Sequence, residues 1–256
     1  MAPETNLQLS MQALTKGARL RKEQENWAEY AGLLNNLGLT YQELADRAIA
    51  PEANLQLALQ ALTEAARLRK EQGNSAKYAT VLNNLGLAYH GLAKLDVAPE
   101  ANLKLALQAL TEAARLRKEQ ENMSEYAGVQ NNLGLANQGL ALRGITLETN
   151  QQLSVEAFTE AARHYKEHQN WANYVIVSLN LGSTQEMSAR GLDRRIGLEA
   201  ARQAYENALG FSARSGHNEL QPMIATRLKI VLHALIAEGV EIVKNHARLT
   251  GLEEKR

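Results

Sequence analysis

One stretch of this chain is written almost twice. The residues from Ala50, APEANLQLALQALTEAARLRKEQGNSAKYATVLNNLGLAYHGLAKLDV, return from Ala98 as APEANLKLALQALTEAARLRKEQENMSEYAGVQNNLGLANQGLALRGI, with about 35 of 48 positions identical. Self-similarity at a fixed period restricts the fold to architectures whose core grows along an axis by stacking one unit. A further copy starts at Ala2, a more divergent one near Thr146, and one near Arg195 keeps only the outline. The units read as 2–49, 50–97, 98–145 and 146–194, followed by a divergent C-terminal unit and capping helix at 195–256. All of them are expected in a single solenoid spanning 1–256.

Each unit divides into two helices. Helix B comes first and opens with Pro3, Pro51 or Pro99, since proline suits a first helical turn whose amide has no partner. Its stripe in the second copy is Leu55, Leu59, Leu62 and Ala66, widened by Ala58, Ala61, Ala65 and Leu68, which suits packing on more than one neighbour. Helix A follows, running from about Asn26 to Ala45 in the first copy. Asn26, Asn74, Asn122 and Asn170 stand where a side-chain oxygen can cap free amides. Glu29 and Glu125, three residues on, give the pattern of a capping box. Val81, Leu82, Leu85, Tyr89 and Leu92 recur at helical spacing. Short links make successive helices antiparallel neighbours, so about ten helices and no sheet are expected. Gly38, Gly86, Gly134 and Gly182 fall at one point inside helix A, where each costs about 1 kcal/mol relative to alanine. The repetition implies close contact with helix B, through its paired alanines such as Ala65 and Ala66.

The segments NNLGLTY (Asn35 to Tyr41), NNLGLAY (Asn83 to Tyr89), NNLGLAN and LNLGSTQ resemble the Leu-Gly-x-x-Tyr core of tetratricopeptide repeats. The long unit of about 48 residues is similar to bacterial arrays that precede caspase-like CHAT peptidase domains. The resemblance is strong over 2–190 and weak beyond. It implies an all-α, right-handed superhelical solenoid of antiparallel helix hairpins. It also implies a concave groove lined by helix A that holds a peptide. The matching groove positions are Asn35, Leu39 and Gln42, then Asn83, Leu87 and His90, then Asn131, Leu135 and Gln138, with Leu179, Ser183 and Glu186 in the fourth copy. Asn36, Asn84, Asn132 and Asn180 match an asparagine that contacts ligand backbone in some members. Amide side chains donate and accept, so the row suits sequence-tolerant peptide binding; its alternative use is bonding to neighbouring helices. The basic residues of the family's carboxylate clamp are missing from these groove positions.

Composition narrows the function. Lys and Arg total 28 and Asp and Glu total 28, so no overall field draws nucleic acid or an anionic surface. With no cysteine, disulfide, thiol and zinc–cysteine chemistry are excluded. No signal peptide is visible and no run of 18 apolar residues occurs, so the expectation is a cytoplasmic protein with no membrane partner. No nucleophile elbow, phosphate loop or dinucleotide fingerprint is found; no enzymatic activity and no cofactor are expected. Helix B ends in basic clusters at Arg19, Arg21 and Lys22; Arg67, Arg69 and Lys70; Arg115, Arg117 and Lys118; then Arg163 and Lys166. These read as cations complementing helix C-termini rather than as a nucleic-acid ridge. Glu160, His164 and His168 share a helix face but lack an obvious further ligand, so no metal site is assigned. Trp27 and Trp171 read as hairpin-packing residues.

The leading functional expectation is a scaffold binding a peptide or protein segment. The alternative is a regulatory or self-assembling array that packs on its own effector domain or on itself. The ends bear on this. Leu7, Met11 and Leu14 on the first helix B lack a preceding helix A. On a C-terminal helix over about Glu219 to Leu249, Leu220, Ile224, Leu228, Val231, Leu235 and Ile242 make a core-facing stripe, with Ile230, Leu232 and Ile236 beyond it. Weak homo-oligomerisation through the terminal helices is the resulting expectation.

Overall fold

The computed structural model describes residues 3–189 and 194–249, with side chains over 6–239 of that span. Among the described residues there are ten α-helices, one short 3-10 helix and no strand. They are α1 (Pro3–Glu23), α2 (Trp27–Asp46), α3 (Pro51–Glu71), α4 (Ser75–Lys94), α5 (Pro99–Glu119), α6 (Met123–Leu142), α7 (Leu147–Glu167), α8 (Trp171–Ser188), α9 (Arg194–Ser215) and α10 (Gln221–Leu249). Odd-numbered helices to α9 are B helices and even-numbered helices to α8 are A helices. The chain falls into two compact units divided after Leu147.

The punctuation is local. Each A helix is capped by its asparagine, whose Oδ1 accepts the amide of Glu29, Lys77, Glu125 or Asn173 at 3.1–3.3 Å. Pro51 and Pro99 stand in the first turns of α3 and α5. Each of the first four B helices ends by folding the asparagine's own amide back: Asn26, Asn74, Asn122 and Asn170 donate to the carbonyls of Arg21, Arg69, Arg117 and Tyr165. This closure needs a left-handed residue just before the asparagine. Gly73 supplies it at φ 64, while Glu25, Glu121 and Gln169 are held there at φ 54–56. The turn from A back to B is pinned from inside. Buried Asn54 and Asn102 each donate at 2.7 Å to a loop carbonyl, of Ile49 and of Val97.

In the first unit each helix packs on its sequence neighbours, and an A helix packs most extensively on the B helix that follows it. The mid-helix glycines make this possible. A methyl at Gly38 would stand 2.5 Å from Cγ of Leu62, and one at Gly86 2.5 Å from Cγ of Leu110. In the second unit a methyl at Gly182 would meet the ring of Tyr205 at 2.6 Å. The close contact expected at these glycines is present, but its partner is different. A large side chain, not the alanine pair, fills the glycine notch. Leu62, Leu110 and Tyr205 are among the most completely buried side chains of the protein. The alanines line the same B helices alongside, with Ala65 and Ala113 fully buried.

The second unit has its own core of Val175, Leu198, Ala201, Tyr205, Ala208, Ile224 and Val231, with Leu220, Leu228 and Leu235 packed against it. Ile224 and Val231 are fully buried, whereas Ile230, Leu232 and Ile236 are exposed, as their phase predicts. Ile242 lies outside the described side chains. Trp171 stacks on Phe211 with ring centroids 4.6 Å apart, closing the α8–α9 hairpin. Over Asn218–Gly239 the chain is long and apolar enough on average to cross a membrane. Arg227, Lys229, His233 and Glu238 interrupt it, so it contains no run of 18 apolar residues.

Replacing Gly86 by alanine should destabilise the protein by about 1–3 kcal/mol through overpacking against Leu110, although alanine is intrinsically favoured in a helix by about 1 kcal/mol. Urea denaturation of G86A, L110A and the double variant should show the double losing less than the two singles combined. A stabilised G86A would contradict the notch.

Candidate functional site

The site is built on the A helices. In the first unit α2 packs on α4 and α4 on α6, while the B helices make no comparable contact with one another among the described residues. The A helices therefore form the inner layer and present one row of side chains per helix.

Most of the asparagines on that row bond to each other. Asn84 Nδ2 donates to Asn35 Oδ1 at 2.9 Å, and Asn132 Nδ2 donates to Asn83 Oδ1 at 2.9 Å. Within a helix, Asn35 donates to Asn36 at 3.5 Å and Asn131 to Asn132 at 3.4 Å. Gln42 adds a third link, its Nε2 donating to the carbonyl of Asn84 at 2.7 Å. The second asparagine of each pair thus faces the preceding A helix. Asn84 is correspondingly buried, while Asn36 on α2 is exposed. Around this ladder lie apolar side chains: Leu39 is 42% exposed, and Leu87 and Leu135 are half-buried. In the second unit, Asn180 and Ser183 lie half-buried on α8. There Asn180's carbonyl accepts from Thr184, and Glu186 accepts the hydroxyl of Tyr205 at 2.9 Å.

His90, Lys94, Leu103, Leu135, Gln138, Leu142 and Arg143 line a cavity of about 290 Å³. Burial first, then Lys94 and Arg143, push the His90 imidazole down to about 4. Arg143 is held by the carbonyl of Ala93 at 2.8 Å and by Asp96 at 3.5 Å.

The basic clusters split into two sorts that spacing alone did not separate. Arg67, Arg115, Arg163 and Arg202 each bridge glutamates three residues before and four after, on exposed faces for the first three and a half-buried one for Arg202. Arg69 and Arg117 turn inward and are 4% and 3% exposed. The expected capping boxes are half-formed. The asparagines cap, but the glutamates turn to arginines, Glu29 to Arg21 at 2.5 Å and Glu125 to Arg117. On α7, His164, Glu167 and His168 bring ligand atoms within 4.8 Å of one another. The neighbouring Arg163 places Nη2 2.7 Å from His164 Nε2, and that fixed cation opposes a second one there.

No family model matches the chain, and no curated protein matches it. Its backbone is similar to the crystal structure of BtubC (BKLC) from P. vanneervenii, at 15% identity and a TM-score of 0.34 over 79% of this chain and 92% of that one. It is also similar to a structure described as DHF58 filament, at 18% identity and a TM-score of 0.27 over 84% and 97% of the two chains. Likenesses this remote carry no argument about function.

The His90 shift predicts an acid-sensitive element. Its folded pKa lies below the ordinary 6.5, so between pH 6.5 and 4 the unfolded chain binds a proton that the folded chain refuses. Stability is retained above pH 6.5 and falls as pH drops through that window. His90→Gln, which copies the residue at positions 42 and 138, should lose less melting temperature across it than the parent. Parallel curves would contradict the assignment.

Proposed function

We propose that this protein is a non-catalytic interaction scaffold of the long tetratricopeptide type, cytoplasmic, that holds a peptide or protein segment along the inner face of its A helices. The observation that carries the reading is the make-up of that face. Amide groups lie in rows one repeat apart, flanked by accessible leucines. Amides can meet an extended backbone with donors and acceptors, and leucines between them give apolar anchorage. The two nearly identical copies support the same reading. Within the helices they differ once in helix B (Gln56 against Lys104) but eight times in helix A, including His90 against Gln138 and Leu82 against Gln130. A varied face on a constant support suits recognition of different segments by successive repeats.

Because Asn83 holds Asn132, a test that removes it also strains the fold. Leu39 and Leu87 are the better probes. A peptide selected on the wild-type protein from a random phage-displayed library should lose about tenfold or more in affinity for L39S/L87S, with little change in melting temperature. Equal affinity, or an equal loss from Leu57→Ser on helix B, would count against the groove.

A second reading, self-association, is favoured by Ile230, Leu232 and Ile236, which leave α10 with exposed apolar surface. Burying each such side chain contributes roughly 1.5–3 kcal/mol. Sedimentation velocity over a wide concentration range should then show a weak oligomer that I230S/I236S abolishes. A concentration-independent monomer would remove this reading.

A further inference from the structure

A cation near the end of each of the first three B helices faces the first turn of the following A helix. In the first copy Arg21 pairs with Glu29 at 2.5 Å. In the third, buried Arg117 pairs with Glu125 and also donates to the Thr80 hydroxyl of the preceding A helix at 2.5 Å. Around Arg69 of the second copy the pattern is broken twice. Lys77 stands where the others have glutamate, and Gly32 stands where the hydroxyl would be. Arg69 is as buried as Arg117, yet its one hydrogen bond to a side chain is to Gln72 at 3.1 Å, and no carboxylate pairs with it among the described residues. Burial is the influence that lowers its proton affinity.

The position those groups vacate is open space. A pocket of about 510 Å³ is lined by residues including Arg21 of α1, Glu29 and Gly32 of α2, Arg69 of α3 and Lys77 of α4. Arg69 Nη2 reaches over Gly32, only 3.2 Å from where a methyl there would be. The lining charges are Arg21, Arg69 and Lys77 against Glu29 alone, and Glu29 is engaged by Arg21. Lys77 sits in the first turn of α4, where the helix dipole already favours an anion. A guanidinium presents five donors in a fork that matches a carboxylate, and leaving a buried charge uncompensated is costly.

We infer that the Arg69–Lys77 pocket binds a carboxylate of an acidic segment of the partner, which supplies in trans what Glu125 supplies to Arg117 in cis. This rests on the peptide-scaffold reading for what carries the carboxylate. The carboxylate is favoured because that is the group the third copy uses at the same place.

The test uses a fluorescein-labelled hexaglutamate peptide and anisotropy at low salt. The wild-type protein should bind it saturably, and R69Q should weaken binding about tenfold or more, the scale of one charged hydrogen-bonded contact. K77E returns an internal partner to Arg69. It should weaken binding at least as much while raising the melting temperature, so a folding defect in R69Q cannot mimic the result. Glutarate should displace the peptide at concentrations where inorganic phosphate does not. No binding by the wild-type protein, unchanged binding in K77E, or displacement by phosphate alone would overturn the inference. Loss in R69Q and K77E but not in L39S/L87S supports the pocket even if the groove reading fails. Loss in L39S/L87S alone keeps the groove and refutes the pocket.

Discussion

The contact on which the packing depends is a large side chain seated on a glycine. Leu62 on Gly38, Leu110 on Gly86 and Tyr205 on Gly182 bring an A helix and the following B helix closer than any side chain at the glycine would allow. Interiors are packed at crystal-like density, so a notch repeated at one position sets the separation and the register of the hairpin together. The mid-helix glycine carries a helix-propensity cost of about 1 kcal/mol, which full burial of a leucine or tyrosine offsets. With the hairpin set this way, helix A turns another side toward the neighbouring A helices.

That side carries the polar chemistry. Asn35 with Asn84, and Asn83 with Asn132, join neighbouring A helices across 49 residues of chain. The ladder therefore fixes the spacing of the inner layer and also presents amides at regular intervals along it. The arginines follow a comparable division. Those bridging two glutamates on an exposed face contribute little beyond solubility and local helix support. The two that turn inward need a partner, and among the described residues only Arg117 finds a carboxylate.

Much of this was legible in the sequence because it is local or periodic. The asparagine caps, the prolines at the starts of α3 and α5 and the apolar phase of α10 each follow from residues within one helix. The glycine notch was legible as a contact, but its partner was not. Leu62, Ala65 and Ala66 share one face of α3, and the crossing of two helices decides which of them meets the glycine. The asparagine pairing was hidden for the same reason, since it depends on register between repeats. The contrast between Arg67 and Arg69 was partly visible. Glu64, Arg67 and Glu71 show the spacing of an exposed clamp, and Lys77 in place of glutamate marks the copy that departs from its neighbours.

The proposed recognition face is the inner side of the A helices, with the B helices in a supporting role. Leu39 on α2 and Leu57 on α3 allow a direct comparison, being 42% and 40% exposed and chemically identical. A photo-crosslinking residue placed at each position in turn, in the native host, reads which face meets a partner. A discrete crosslinked product is expected from position 39 and none from position 57. A product from position 57 alone would contradict it.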